Sequence, residues 1–178
     1  MKIRFWGTRG SIPSPLKPEE VEEKICRAIS LLPDIDIQDM EAVRAYVREL
    51  PPLERGTAGG NTPCVEIQAW GETVIIDAGS GLRELGLELM KGPCGRGEGT
   101  LHLFISHPHW DHIQGFPFFN PALVPGNRIL IYSMHDLEKS LDLQQNPVNF
   151  PAPLSSMLAK LEFIPLQMGE ETPLHLRP

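Results

Sequence analysis

Apolar positions recur at helical spacing in the N-terminal third of the chain and form short runs through the rest. The helical spacing predicts helices over 18–32 and 40–50, with Asp39 placed to cap the second. Strands are predicted at 2–6, 64–69, 73–77, 101–105, 128–132 and 161–166. Shorter helices are predicted at 82–89, 137–141 and 155–160. The tight turn at Trp70-Gly71 joins two of the strands as a hairpin.

The predicted strand at 73–77 differs from the others because its apolar residues are consecutive. Val74, Ile75 and Ile76 form an unbroken run, which predicts a strand buried on both faces. The run ends in Asp77. An acid at the end of a buried strand needs a hydrogen-bonding or charged partner.

Length, charge and cysteine content narrow the class of protein. A chain of 178 residues predicts one domain, and its formal charge of −7 argues against non-specific nucleic-acid binding. The N-terminus lacks the apolar core of a signal peptide, and no apolar run is long enough to span a bilayer. We therefore predict a cytoplasmic protein without membrane partners. Its three cysteines are widely spaced and are predicted to be reduced and structural.

The candidate chemistry is concentrated in the stretch SHPHWDHIQG, residues 106–115. His107 and His109 would point the same way if this stretch is extended, and could share one metal ion. Asp111 and His112 follow at a turn and would be directed to a neighbouring position. Two adjacent ions fit this arrangement; zinc suits the donors, with manganese and iron left open. A pair of metals roughly 3.5–4 Å apart would activate a bridging water for hydrolysis. The alternative is a histidine-rich surface loop without metal.

The sequence around this stretch resembles a known family. The segment from His107 to His112 matches the His-x-His-x-Asp-His motif of the metallo-β-lactamase superfamily. Ile75-Ile76-Asp77-Ala78-Gly79 is similar to the aspartate segment that precedes that motif. The segments GTRGSIP (7–13), GGNTPC (59–64) and FPFF (116–119) resemble a bacterial branch that is similar to ribonuclease Z and other phosphodiesterases.

The resemblance implies an α/β fold, the metallo-β-lactamase αββα sandwich, with a dinuclear site at one edge. It implies that His107 and His109 bind the first metal and that Asp111 and His112 bind the second. Asp77 would orient the cluster from behind the ligands. The resemblance covers nearly the whole chain, residues 1–178, with a helical insertion at about 15–56.

Members of this superfamily complete their metal site with residues farther along the chain. His135, Asp136 and His175 are the available candidates here, and their surroundings favour a solvated loop and an edge strand instead. We therefore expect the chain to be the first half of the sandwich, with its C-terminal part missing. Such a half would expose an apolar sheet face and could self-associate.

The leading functional hypothesis is a metal-dependent hydrolase that acts on a phosphodiester through a metal-bridged hydroxide. Asp111 would help to orient the hydroxide, and the substrate would be a small-molecule or nucleotide-like ester. Arg9 and Ser11 could contact phosphate, although a loop arginine is more often solvated. The alternatives are a thioesterase or an iron oxygenase on the same fold, or a catalytically incomplete binding or scaffold module.

Several residues near the motif have two interpretations. The aromatic side chains near the motif could line a pocket for a nucleobase, but packing beneath the motif is favoured. Cys64 could approach a metal, but a small buried residue is favoured. His102 is interpreted as structural. The aromatic residues concerned are Trp110, Phe116, Phe118 and Phe119.

Overall fold

The computed structural model describes residues 1–57 and 60–171. The chain divides into two compact units, one formed by Met1–Pro13 and Asn61–Pro178 and the other by Ser14–Gly60. The second unit covers the stretch predicted as a helical insertion. That it interrupts a larger sandwich domain stays a prediction. His175 lies outside the described residues.

The unit Ser14–Gly60 is helical. Its helices are α1 (Pro18–Ser30), α2 (Met40–Glu49) and α3 (Pro52–Arg55). Asp39 caps α2 as predicted, since its side chain accepts hydrogen bonds from the backbone of Glu41 and Ala42. Arg27 and Glu54 form an ion pair of 3.2 Å between α1 and α3.

Strands and short helices alternate in the other unit. The strands are β1 (Lys2–Gly7), β2 (Cys64–Ala69), β3 (Glu72–Ile76), β4 (Thr100–Phe104), β5 (Arg128–Ser133) and β6 (Lys160–Pro165). The helices are α4 (Gly81–Leu89), α5 (Trp110–Ile113) and α6 (Leu137–Gln144). Short 3₁₀ turns lie at Pro93–Arg96, Phe116–Phe118, Asn120–Leu123 and Leu154–Ser156.

Within the described residues, the six strands form one mixed sheet in the order β1-β2-β3-β4-β5-β6. The pairs β1–β2 and β2–β3 are antiparallel, whereas β3 to β6 are parallel. Trp70 and Gly71 join β2 to β3 with φ angles of 53° and 81°, which matches a type I′ turn. The hairpin predicted from the sequence is therefore confirmed.

One face of the sheet forms the hydrophobic core. Side chains of β3, β4 and β5 pack there with Leu82 and Leu85 of α4 and with Leu137 and Leu141 of α6. The strand residues concerned are Ile75, Leu101, Leu103, Ile129 and Ile131. Burial of this face supplies most of the apolar contact that holds the helices on the sheet.

The opposite face of the sheet is also apolar but is partly exposed. Register places one row of residues across all the described strands: Phe5, Val65, Ile76, Phe104, Tyr132 and Ile164. Phe5 is 70% exposed and Ile76 is 38% exposed, whereas Tyr132 is fully buried. A cavity of about 640 Å³ borders this face between Ile76, Tyr132 and Met134. The prediction that β3 is buried on both faces is therefore wrong for Ile76.

The helix predicted at 155–160 is also wrong. A single 3₁₀ turn occupies Leu154–Ser156, and Lys160 already pairs with Arg128 in the sheet. Pro151 and Pro153 precede the turn and prevent only its extension toward the N-terminus. Pairing of the apolar residues of β6 with β5 outweighs the weak local helical pattern.

Glu162 on β6 provides a pH-dependent contribution to stability. The Arg128 guanidinium donates to it at 2.5 and 2.9 Å and, together with Lys160, lowers the pKa of Glu162 to about 2. Because this folded-state pKa lies below the unfolded value, the stabilisation is present above about pH 4.3 and is lost as the pH falls toward 2.

We expect Glu162→Gln to lower the free energy of unfolding by up to about 1 kcal/mol at pH 7, because the pair is only partly buried. The difference from the unsubstituted protein should shrink between pH 5 and pH 3 in urea titrations. Glu138→Gln, an exposed acid on α6, is the control. A Glu162 difference that stays constant over this pH range would contradict the assignment.

Candidate functional site

The predicted site residues lie at the carboxyl ends of the parallel strands β3 and β4. Asp77 directly follows β3, and the backbone N–H of Asp77 donates to the carbonyl oxygen of Phe104 at 2.8 Å. Ile105 extends β4 in the same way by bonding to Tyr132 at 2.9 Å. The residues after these two strands therefore leave the sheet side by side, at the edge where open α/β sheets bind ligands.

Asp77 is a buried acid with hydrogen-bond donors around its carboxylate. One carboxylate oxygen, Oδ1, accepts from the backbone N–H and the hydroxyl of Ser106, both at 2.8 Å. The other oxygen, Oδ2, lies 2.9 Å from Nδ1 of His112. The residue is 6% exposed and adopts a left-handed φ of 62°. Ser106 and His112 of the histidine segment therefore supply the partners that a buried acid needs. The left-handed conformation of Asp77 adds local backbone strain.

The histidine rings of the motif contact one another. The His107 ring centroid lies 4.4 Å from that of His109 and 4.1 Å from that of His112. His109 immediately precedes α5, and this short helix turns His112 back toward β3. His107 and His112 are half-buried, whereas His109 is exposed.

Asp111 lies in the first turn of α5 and contacts the loop after β1. The backbone N–H of Ser11 donates to its Oδ2 at 2.9 Å, and Nε2 of His112 lies 3.5 Å from the same oxygen. The Ser11 hydrogen bond, and then the nearby histidines, lower the pKa of Asp111. The structure therefore brings His107, His109, Asp111, His112 and Asp77 together in one cluster.

Burial and neighbouring histidines also act on His107. Desolvation, followed by the charges of His112 and His109, lowers the pKa of His107 from its ordinary value. A lowered pKa favours the neutral imidazole, which is the state that binds a metal ion.

The donor set fits a divalent metal ion by its chemistry. Imidazole nitrogens and a carboxylate are the ligands of zinc and of related transition metals. Within residues 1–57 and 60–171, however, no three histidine, cysteine, aspartate or glutamate side chains converge on a common point as a metal site. The cluster is therefore a set of adjacent donors of suitable type, whose assignment to two ions stays a prediction.

Close backbone contacts hold α5 against the segment after Asp77. The Ala78 N–H donates to the His112 carbonyl oxygen, and the Gly115 N–H donates to the Ala78 carbonyl oxygen, both at 2.8 Å. A Cβ atom at Gly115 would lie 2.0 Å from the carbonyl oxygen of Gly79. Glycine at 115 is thus required for α5 to lie close enough for His112 to reach Asp77.

We expect Gly115→Ala to destabilise the protein by about 1–3 kcal/mol, because backbone must move to accept the methyl group. Thermal or urea unfolding measures this change. Gly10→Ala is the control, since a Cβ there meets nothing within 4 Å. Equal stability of the two variants would show that α5 does not depend on this contact.

The loop at residues 61–63 is tied to the same region. The Thr62 N–H donates to the Ser80 hydroxyl at 3.0 Å, and the Ser80 N–H donates to the Thr62 hydroxyl at 2.7 Å. Gln114 also donates to the Thr62 hydroxyl, at 2.9 Å. Thr62 is fully buried. These contacts connect the loop at residues 61–63 to the segments after β3 and α5.

The other predicted residues have the following positions. Arg9 and Ser11 are exposed, and the Ser11 backbone rather than its side chain contacts the cluster. His135 and Asp136 are exposed, and Asp136 caps α6 by accepting from the Lys139 N–H at 3.1 Å. The solvated-loop interpretation of this pair is therefore favoured.

The structural interpretations of His102 and Cys64 are confirmed. His102 is fully buried with Nδ1 3.0 Å from the Tyr132 hydroxyl. Cys64 is fully buried, and burial raises the pKa of its thiol. Such a thiol stays protonated and is inert.

The aromatic residues divide between core and surface. Phe116 and Phe119 are fully buried in the core, so packing beneath the motif is confirmed for them. Trp110 is 60% exposed and Phe118 is 50% exposed.

Ser106 belongs to the cluster, although it was not among the residues predicted from the sequence. Its hydroxyl lies 3.0 Å from Nδ1 of His107 and 3.3 Å from Nδ1 of His112, besides contacting Asp77. The available signal was its position, a hydroxyl residue directly between a predicted strand and the histidine motif. That position does not reveal which neighbouring strand supplies its partner.

No protein-family model matches the chain, and no curated protein matches it. It is similar to a solved structure described as the crystal structure of a new diphosphatase from the PhnP family, with a TM-score of 0.50 and 19% sequence identity. The match covers 93% of this chain and 50% of that one, so this chain spans about half the length of the solved structure. At this identity the likeness concerns the fold alone, and membership of the metallo-β-lactamase superfamily stays a prediction. The complete αββα sandwich stays a prediction.

No helix in the described part of the chain combines the length and the apolar character needed to cross a membrane.

Proposed function

We propose that this chain carries the metal-binding cluster of a hydrolase that acts on phosphodiesters or related phosphoric esters. The observation that carries the proposal is the cluster itself. Asp77, Ser106 and His112 are hydrogen-bonded at the ends of β3 and β4, with His107, His109 and Asp111 beside them. The likeness in fold to a PhnP-family diphosphatase supports the phosphoester class.

In this proposal each residue of the cluster has a defined role. His107 and His109 hold one divalent ion, and Asp111 and His112 hold the second. When bound, two such ions would supply a deprotonated water as the nucleophile and would polarise the phosphoryl oxygen. Asp77 accepts the Nδ1 proton of His112, so that Nε2 of this ring is left free to bind metal.

Asp111 is suited to a second task. The Ser11 N–H donates to Oδ2 of this carboxylate and fixes its orientation, which would allow the carboxylate to orient the attacking water. The loop after β1 thereby positions the Asp111 carboxylate through an uncharged backbone N–H group.

The proposed substrate is a small-molecule or nucleotide-like ester. The chain has a net charge of −7, so an anionic substrate is attracted by local positive charge rather than by the surface as a whole. Bound divalent ions provide such a local charge. Zinc is the proposed metal, with manganese and iron as the alternatives to compare.

The test is hydrolysis of bis(p-nitrophenyl) phosphate under saturating zinc or manganese, with a thioester assayed in parallel. We expect phosphodiester turnover that is abolished by chelator and by His109→Ala. His135→Ala is the matched control, because His135 is an exposed histidine outside the cluster. Turnover of the thioester alone, or activity that survives His109→Ala, would contradict the proposal.

A non-catalytic binding module is the second candidate. The observation that favours it is that no three metal-binding side chains converge among the described residues. The two candidates differ in turnover, because a binding module without a complete metal site would hydrolyse neither ester.

We also propose that the chain self-associates through the partly exposed sheet face, where Phe5 is 70% and Ile3 is 48% exposed. Sedimentation velocity at increasing protein concentration should show association that Phe5→Glu weakens. Val148→Glu is the control, since Val148 is 91% exposed and lies outside this face. A protein that stays monomeric at all concentrations would contradict the proposal.

A further inference from the structure

The Ser106 hydroxyl lies among three ionisable side chains of the cluster. Its oxygen is 2.8 and 3.0 Å from the carboxylate oxygens of Asp77 and 3.0 Å from Nδ1 of His107. It is also 3.3 Å from Nδ1 of His112, whose shorter contact is to Asp77 at 2.9 Å. The Ser106 hydroxyl thus connects the Asp77 carboxylate to His107, the first histidine of the motif.

The number of protons on these atoms determines the direction of each hydrogen bond. An ionised carboxylate only accepts, whereas a hydroxyl has one proton to donate and lone pairs that accept. The Ser106 hydroxyl therefore donates to Asp77, and its lone pair is left to accept from His107. A hydrogen bond between His107 and Ser106 then requires the proton of the neutral imidazole to be on Nδ1.

We propose that Ser106 is a positioning residue that fixes the tautomer of His107 and leaves Nε2 of this ring free to bind the metal ion. The effect of Ser106 on metal binding rests on the proposed function, but the tautomer of His107 does not depend on a bound metal. Asp77 fixes His112 directly and His107 through Ser106, so that a single carboxylate orients both rings.

The first test is nitrogen-15 NMR of the histidine rings in metal-free protein at pH 8, with His107 and His112 assigned by substitution. In the unsubstituted protein both rings should carry their proton on Nδ1. Ser106→Ala should remove this preference from His107 and leave His112 unchanged, whereas Ser106→Thr, which retains the hydroxyl, should preserve both. A His107 ring protonated on Nε2 in the unsubstituted protein, or a tautomer unaffected by Ser106→Ala, would overturn the proposal.

The second test is zinc affinity by competition with a chromophoric chelator. Loss of a group that orients a ligand typically lowers metal affinity by about 10- to 100-fold, and we expect this loss for Ser106→Ala with recovery in Ser106→Thr. Ser140→Ala, which alters an exposed helix hydroxyl, is the control. Equal zinc affinity of Ser106→Ala and the unsubstituted protein would overturn the positioning role.

The two tests separate this inference from the proposed function. Absence of phosphodiester hydrolysis would count against the hydrolase, whereas the NMR result would still decide whether Ser106 sets the His107 tautomer. The backbone N–H of Ser106 donates to Asp77 at 2.8 Å and is retained in both Ser106 variants, so we expect the segment after β4 to keep this anchor.

Discussion

Asp111→Ala is expected to reduce metal-dependent phosphodiester hydrolysis by about 100-fold or more. The substitution removes a proposed ligand of the second ion together with the carboxylate that orients the attacking water. Metal ions contribute several kcal/mol of transition-state stabilisation, and each 1.36 kcal/mol corresponds to a factor of ten in rate. Steady-state hydrolysis of bis(p-nitrophenyl) phosphate at saturating metal measures the effect.

The fold should survive Asp111→Ala, because Asp111 is at the surface edge of the cluster and its described contacts are the Ser11 N–H and His112. Asp142→Ala, at an exposed acid on α6, is the matched control and should leave the rate unchanged. Retention of activity in Asp111→Ala would remove Asp111 from the mechanism.

Asp77→Ala should have the second largest effect, and it acts on stability as well as on metal binding. The substitution leaves the backbone N–H of Ser106 and Nδ1 of His112 without their acceptor. Loss of hydrogen bonds to a buried carboxylate typically costs about 1.5–3 kcal/mol each, so loss of these two should lower the free energy of unfolding by roughly 3–6 kcal/mol. Urea unfolding of the metal-free protein measures this loss directly.

Metal affinity should fall in the same Asp77→Ala variant, because neither His107 nor His112 would be held in its ligand tautomer. Glu138→Ala, at an exposed acid, is the control for both measurements. An Asp77→Ala protein with unchanged stability would mean that the carboxylate is solvated rather than bonded within the cluster.

Local patterns were sufficient to predict much of the secondary structure. The alternation in β4, the cap at Asp39 and the turn at Trp70-Gly71 depend on residues close together in sequence, and each prediction is confirmed. The helix predicted at 155–160 failed because Lys160 pairs with Arg128, a contact 32 residues away that local propensity does not include.

Burial of the sheet was harder to predict because it depends on what covers each face. Val74, Ile75 and Ile76 are all apolar, and the run alone cannot distinguish a strand covered on both sides from one with an apolar face left partly open. Ile75 is fully buried and Ile76 is 38% exposed, so adjacent residues of one run have different environments.

The sequence was sufficient to identify most residues of the candidate site but not the hydrogen bonds that join them. Motif spacing identified His107, His109, Asp111 and His112, and the end of a buried strand identified Asp77. The hydrogen bonds of Ser106 to Asp77 and of Ser11 to Asp111 join residues 29 and 100 positions apart. Such partners follow from the parallel pairing of β3 with β4 and from the position of the first loop, which spacing along the chain does not reveal.

Metal binding by the histidine cluster can be measured without knowledge of the substrate. Metal content per chain should be measured on protein purified without chelator or histidine tag and then saturated with zinc, beside a His107→Ala/His109→Ala variant. Zinc should bind to the unsubstituted protein, and this binding should be lost in the double variant. No zinc bound to the unsubstituted protein, or equal binding by the variant, would contradict the assignment of this cluster as a metal site.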